Sequence, residues 1–462
     1  MSEDRPLWTR SACDVVTMLQ NNQVTTEMLL ADIGERLQDV DSAINALPTL
    51  CLDRMPEFGD DDDGAETSLL HGLPVAVKDL TEVKGVRTTY GCSLYADHVP
   101  EKSDKLVRRI ERRGGVVFAK SNTPEFGTGG ITFNDVFGVT RSPRNLDFSA
   151  GGSSGGAAAA LASGCAWLSH GSDMAGSLRT PAAFCGVTSL RPSPGSISSD
   201  ALDLPFSVLG QQGPMARSIE DLALFADVLF DDPGQGFRSC AQESLMPARI
   251  AFSLDLGITE VNADVEIEFS KVVQRLQQQG IRMCDGAPDL TDVHDSFDIL
   301  RAHEYAISFE TLLEQNPGVM KPEVEWNVQC GLSLSSAELR GAEKTRGRIV
   351  DSAGRFMEGV DCLICPATSV SAVDATLRYP GSAQLGESPN SATVPICDYY
   401  RWLGIAYATT MMSLPVITLP CGRFDSGMPF AIQLVGKPHG EAELFRIAAA
   451  IERLFKWTST PV

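Results

Sequence analysis

The sequence predicts an α/β protein built as one large domain. Three observations carry this. Apolar strand-like runs alternate with helical stretches between residues 71 and 230. The same texture returns after residue 400. No internal repeat and no Pro/Gly/Ser-rich linker divides the 462 residues. The expected organisation is a helical N-terminal periphery (1–70), a core (71–230), a variable pocket-shaping region (231–400) and a C-terminal part of the core (401–462). Within the third part, residues 231–359 are less patterned and read as an inserted or peripheral layer.

Thr25 precedes Leu29, Leu30, Ile33 and Leu37, which is helical spacing after a capping residue. Gly59-Asp60-Asp61-Asp62-Asp63-Gly64 lacks the alternating ligands of a calcium loop and reads as a solvated turn. Residues 73–78 form an apolar strand that ends in Lys78; residues 105–113 are helical; residues 114–120 turn into a second strand. Residues 144–149 make a poor strand. The small residues 157–162 form a helix able to pack tightly beneath a loop, and residues 165–168 read as a buried strand. Ser218-Ile219-Glu220-Asp221 is a capping pattern before a helix over 222–230. A strand at 250–252, a helix at 265–278, strands at 414–420 and 430–435, and a last helix with Leu444, Ile447, Ala448 and Ile451 on one face complete the pattern.

Sixty acidic against 38 basic side chains give a net charge of −22, which disfavours nucleic acid and anionic membrane surfaces as partners. No apolar run reaches the roughly 18 residues of a spanning helix, and the N-terminus lacks the apolar core of a signal peptide. The twelve cysteines form no dense framework and read as reduced thiols of a cytoplasmic protein. Cys362-Leu363-Ile364-Cys365 has redox-pair spacing, but its apolar context before Pro366 reads as a buried strand. The six histidines make no zinc pattern, so neither a metal nor a cofactor is implied.

Glycine is in slight excess, and 15 of the 41 glycines fall between residues 114 and 195. The densest segments are Gly151-Gly152-Ser153-Ser154-Gly155-Gly156 and Gly171-Ser172-Asp173-Met174-Ala175-Gly176-Ser177-Leu178-Arg179. Glycines beside serines permit unusual turns and let a substrate approach consecutive N–H groups, a ready site for a developing oxyanion. A serine there needs a base to become a nucleophile. The string Gly151 to Gly155 formally matches a nucleophile elbow, but it lacks the preceding strand. Val75-Ala76-Val77-Lys78 formally matches a kinase lysine strand, but the other kinase motifs are absent. Lys78 itself is a third option, because burial favours the neutral amine. Read alone, Lys78 is better explained as a buried ion-pair partner of Asp79 or Glu82.

Taken together, these segments resemble the amidase signature family. The resemblance is dense over residues 70–230 and looser over 400–455. It also rests on His71-Gly72-Leu73-Pro74 leading into Lys78, on Ala119-Lys120-Ser121-Asn122, on Leu190-Arg191-Pro192 and on Gln212-Gly213-Pro214-Met215. It implies a single α/β/α domain on a twisted mixed β-sheet flanked by helices. It further implies a Ser–cis-Ser–Lys triad: Ser177 as nucleophile, Ser153 after a cis peptide as bridging serine, and Lys78 as base. Backbone N–H groups of Met174, Ala175, Gly176 and Ser177 would make the oxyanion hole, with Ser154, Asp173 and Arg179 bracing the loop. Two departures stand out: Ala175 where the family usually carries glycine, and Ser172 where threonine is common.

The implied activity is hydrolysis of a carbon–nitrogen bond in a small linear amide or anilide through an acyl-enzyme, without a cofactor. The alternatives are a glutamine-dependent amidotransferase A-type subunit that supplies ammonia to a partner, and a non-catalytic scaffold. A homodimer is a common arrangement for relatives. The substrate pocket is expected from loop 127–133, from helices over 304–326 and from residues 398–402. The candidate lining residues are Thr128, Gly129, Gly130, Trp326, Tyr399 and Tyr400, the aromatic ones as a wall or as core.

Overall fold

The structure is a computed structural model that describes residues 6–54, 68–200, 204, 207–232, 234, 236–380, 399–457 and 460–462. The acidic run at 59–64 and Asp398 lie outside the described residues. The strands are β1 (Thr49–Leu50), β2 (Pro74–Lys78), β3 (Val116–Ser121), β4 (Phe133–Asn134), β5 (Gly138–Val139), β6 (Arg141–Ser142), β7 (Asn145–Ser149), β8 (Leu168–Asp173), β9 (Thr188–Arg191), β10 (Gln211–Ala216), β11 (Arg249–Phe252), β12 (Arg282–Asp285), β13 (Cys362–Pro366), β14 (Val416–Arg423) and β15 (Pro429–Val435). The helices are α1 (Ala12–Gln20), α2 (Thr26–Ile44), α3 (Lys105–Arg112), α4 (Gly155–Ser163), α5 (Arg179–Cys185), α6 (Ile219–Leu229), α7 (Phe237–Glu243), α8 (Ala263–Gln278), α9 (Val293–Gln315), α10 (Pro322–Leu332), α11 (Ser336–Met357), α12 (Gly404–Met411) and α13 (Glu441–Phe455).

Among the described residues, eleven strands make one sheet in the order β1-β3-β2-β8-β10-β9-β14-β15-β13-β11-β12. It is mixed: β2 lies parallel to β3 and β8, β11 lies parallel to β12 and β13, and β8, β10, β9, β14, β15 and β13 follow one another antiparallel. Alternate residues of a strand face opposite sides. On β13, Cys362 and Ile364 enter one apolar cluster while Leu363 and Cys365 enter another. On β15, Ile432 and Leu434 join the first, and Ala431 and Val435 the second. The first cluster takes in α4, α6, α8 and α13; the second takes in α9, α11 and α12. Helices therefore cover both faces of the sheet.

Three expectations are corrected. The buried strand near 165–168 begins at Leu168 and runs to Asp173. Its polar sequence hides it, and neighbouring strands take up part of its polar groups: Ser169 Oγ donates to Ala76 O at 3.4 Å, and His170 Nε2 meets Gln212 Oε1 at 2.9 Å, while His170 Nδ1 has no partner among the described residues. Burial pushes the His170 pKa down to about 3, so the ring is neutral. Residues 145–149 do form a strand, β7, in a small polar ribbon with β6 outside the main sheet. The stretch 231–359 is not peripheral, since β11 and β12 extend the main sheet beyond β13.

The Thr25 hydroxyl accepts the Met28 N–H, and the Ser218 hydroxyl accepts the Asp221 N–H, as the capping patterns predict. Helix α4 is buried at every residue. It packs so closely that a Cβ on Gly156 would lie 2.3 Å from the Asn122 backbone nitrogen and 2.6 Å from Ala46 O. Only glycine allows that approach. It places the residues just before α4 against the ends of β2 and β8.

Cys362 and Cys365 are free thiols on opposite faces of β13, so they cannot pair. Burial pushes both thiols up, Cys365 to about 12. We expect thermal melts with and without dithiothreitol to superimpose, and maleimide to label both cysteines only after unfolding. A reductant-dependent loss of stability that is absent in Cys362→Ala would contradict this arrangement.

Candidate active site

Lys78 ends β2, and no part of its side chain reaches solvent. Its ammonium nitrogen lies 2.7 Å from Ser153 Oγ, 2.9 Å from Ser154 Oγ and 3.0 Å from Ser172 Oγ. Among the described residues no carboxylate comes within ion-pair distance of it. The two candidate ion-pair partners are engaged elsewhere. Asp79 faces Lys120 Nζ at 3.2 Å and accepts the Thr89 hydroxyl at 2.6 Å, while Glu82 accepts the Tyr90 hydroxyl at 2.7 Å. Burial pushes the Lys78 pKa from 10.5 down to about 7, and the Asp173 carboxylate offsets only part of the shift. An amine with that pKa is substantially neutral at neutral pH and can accept a proton.

The peptide between Gly152 and Ser153 is cis. Ser154 follows; its hydroxyl donates to Ser172 O at 3.2 Å and its N–H donates to Ser177 O at 3.0 Å. It therefore touches both the lysine and the two loops. The segment 174–178 runs from the end of β8 to the start of α5, and it is wrapped around Asp173. Gly176 N–H donates to Asp173 Oδ1 at 3.0 Å and Leu178 N–H to Oδ2 at 2.9 Å. Arg179 clamps both carboxylate oxygens, Nη2 to Oδ1 at 2.7 Å and Nε to Oδ2 at 3.0 Å. Its Nη1 reaches Ala406 O at 2.6 Å and Gln433 Oε1 at 2.8 Å. Arg191 donates to Asp173 O and to the Val208 and Leu209 carbonyls. Burial alone would raise the Asp173 pKa; the Arg179 and Arg191 guanidiniums and the Leu178 N–H outweigh it and hold the carboxyl well below its usual range.

This wrapping corrects the expected oxyanion hole. The Gly176 N–H is spent on Asp173, whereas the N–H groups of Met174, Ala175 and Ser177 have no protein acceptor among the described residues. Gly176 has φ +109°, and a Cβ there would meet Ala406 Cβ at 2.7 Å, so the turn requires glycine. The methyl of Ala175 packs into the second apolar cluster rather than lining the cavity.

Ser153, Ser172, Asp173, Met174 and Ser177 line one cavity of about 200 Å³. The lining also includes Leu80, Phe126, Gly127, Gln211, Gln212, Glu304, Tyr305 and Phe309. The expected pocket residues lie elsewhere. Thr128 shares a hydrogen bond of 2.8 Å with the Tyr305 hydroxyl behind the wall, Gly129 lies by Lys321, and Gly130 backs onto Trp402. Trp326 meets the Tyr399 ring edge-on. Tyr399 and Tyr400 are core: Asn327 Nδ2 donates to the Tyr399 hydroxyl at 2.9 Å, and the Tyr400 hydroxyl donates to Asp298 at 2.6 Å. With their polar ends satisfied inside, the rings have no reason to face a cavity. The stretch 304–326 does contribute as expected, through Glu304, Tyr305, Ser308 and Phe309, which share one face of α9. The Ser172 hydroxyl on Lys78 and the Gln211–Gln212 pair are site features that sequence reasoning misses; the position of Gln212 at the start of a family-like motif is the available signal.

A family model described as Amidase matches residues 25–445. The chain belongs to the amidase signature family. It is 28% identical to an acylamidase of Rhodococcus erythropolis over 99% of this chain and 98% of that one. It is 30% identical to the glutamyl-tRNA(Gln) amidotransferase A-type subunit of Prochlorococcus marinus (strain MIT 9211), over 94% of this chain and 95% of that one. The fold resembles the solved 6-aminohexanoate cyclic dimer hydrolase with a TM-score of 0.84 at 22% identity, covering 97% of this chain and 98% of that one. In this amidase signature chain, no helix among the described residues is long and apolar enough to cross a membrane.

Removing Arg179 would leave the Asp173 carboxylate buried with one guanidinium fewer. We expect Arg179→Met to lower unfolding free energy by about 3–5 kcal/mol, measured by urea denaturation. A loss below about 1 kcal/mol would show that Asp173 does not depend on this clamp.

Proposed function

We propose that the chain hydrolyses a small carboxylic amide or anilide, linear in form, through an ester on Ser177. The Ser177 oxygen attacks the amide carbon while its proton passes to Ser153 and the Ser153 proton passes to Lys78. The carbonyl oxygen takes up the negative charge facing the N–H groups of Met174, Ala175 and Ser177. The C–N bond then breaks, and the proton held by Lys78 returns through Ser153 to the departing amine. Water repeats the sequence on the ester, releasing the carboxylate and restoring Ser177. The observation that carries this reading is the Lys78 amine, buried against three hydroxyls with no carboxylate within ion-pair distance among the described residues.

A second reading, an amidotransferase component that takes ammonia from glutamine, is favoured by the 30% identity to such a protein. The cavity chemistry argues against it. The described lining residues include no lysine or arginine to meet the α-carboxylate of glutamine. The pure chain should therefore cleave a chromogenic anilide or a primary aryl amide faster than glutamine; the reverse order would favour the amidotransferase reading.

In the same assay, Lys78→Ala and Ser177→Ala should each lose at least about 10²–10³ of kcat, and full activity in both would overturn the assignment. The neutral amine is the working form. Thus kcat/KM should rise with pH, about tenfold per unit below pH 7, and level off above it. Lys78→Ala should lack that limb.

A further inference from the structure

The Ser177 cavity continues in two directions. On one side it shares Leu204, Ser207 and Glu304 with a second hollow of about 250 Å³. On the other it shares Leu80, Phe126, Ser308 and Phe309 with a hollow of about 510 Å³ that carries Glu82, Tyr90 and Tyr95. Glu304 therefore stands at the junction between the reacting serine and the second hollow. Its Oε1 accepts the Ser207 hydroxyl. Its Oε2 has no protein hydrogen bond among the described residues.

Burial pushes the Glu304 carboxyl up, and the Arg346, Arg191 and Arg301 guanidiniums offset part of that from a distance, but none of them hydrogen-bonds it among the described residues. Arg346 is held by Glu343 at 2.7 Å. Arg191 is spent on Asp173 and on carbonyls, and Arg301 on Asn327 and the Tyr305 and Tyr399 hydroxyls. Arg346 is the only lysine or arginine among the described lining residues of the three hollows, and it is already paired. The path from the outer hollow is rimmed by Tyr90, Tyr95, Phe126 and Phe309, with ring centroids 4.7 Å apart for the last two. Aromatic faces and carboxylates attract a cation; a carboxylate or phosphate on the substrate would meet, among the described lysines and arginines of the lining, only Arg346, already paired with Glu343.

We propose that Glu304 is the specificity-determining carboxylate of this site, receiving through Oε2 a cationic nitrogen carried by the substrate, so that the preferred amides bear a second, basic amine a few bonds from the scissile C–N bond. The proposal rests on the amide-hydrolase reading and adds the substrate class to it.

The test uses matched pairs at pH 8: β-alanine p-nitroanilide against butyric acid p-nitroanilide, and N-(2-aminoethyl)benzamide against N-propylbenzamide. In each pair an ammonium replaces a methyl group. In the wild-type protein at least one ammonium member should have a kcat/KM about tenfold or more above its neutral partner, the scale of one hydrogen bond to a charged group. Glu304→Gln should bring that ratio close to one, with Ser177 still labelled by a fluorophosphonate. Without any variant, n-butylammonium should inhibit cleavage of the neutral anilide more strongly than 1-butanol. Equal rates within both wild-type pairs, equal inhibition, or a preference that survives Glu304→Gln would each overturn the proposal. If Ser177 is labelled but no ammonium amide is preferred, the hydrolase reading stands and only the proposal falls. If no amide is cleaved and Ser177 is not labelled, both fall.

Discussion

The site depends on keeping one amine in a dry place without an acid beside it. A lysine at the end of an apolar strand would ordinarily find a carboxylate or stay in water, because burial of an unpaired ammonium is costly. Here Lys78 receives only the hydroxyls of Ser153, Ser154 and Ser172. Neutral hydroxyls satisfy either protonation state, as acceptors for the ammonium or as donors to the amine. They therefore leave the amine free to titrate.

The neighbouring strand makes the contrast plain. Lys120 on β3 pairs in register with Val77, one residue before Lys78, and is equally buried, yet it faces Asp79 at 3.2 Å. Burial still pushes its pKa down, but the Asp79 carboxylate offsets part of that, and Asp79 is thereby kept from Lys78. A second buried carboxylate, Asp173, is captured in the same way by Arg179 and Arg191 and spends its remaining capacity on the N–H groups of Gly176 and Leu178. Among the described residues these buried ions are thus paired, and Lys78 is left outside the pairs. The same pairing fixes the path of the loop at Ser177, so its electrostatics and its geometry have a common origin.

Much of the frame is legible in the sequence because it follows period and capping. The strand ending in Lys78, the small-residue helix after Ser154, the Ser218 cap and the Cys362–Pro366 strand all appear where pattern places them. Strand β8 is hard to read because its core-facing residues are Ser, His and Gly, whose partners lie on strands distant in sequence. Family resemblance identifies the lysine and the serines, while the hydroxyl contacts that give them meaning need the tertiary structure. The pocket is the least legible part. Tyr399 and Tyr400 look like a wall in one dimension, but Asn327, Arg301 and Asp298 claim their hydroxyls for the core. The modest face of α9 that carries Glu304 and Tyr305 forms the wall instead.

The central claim is that Lys78 titrates near neutrality because it is buried without a counter-ion. Its protonation can be read directly by following the lysine 13Cε resonances of isotopically labelled protein across pH, with Lys78→Ala used to assign the signal. The account predicts that the resonance lost in Lys78→Ala has a midpoint near pH 7, far below the ordinary 10.5. A Lys78 resonance that remains that of an ammonium up to pH 10 would contradict it.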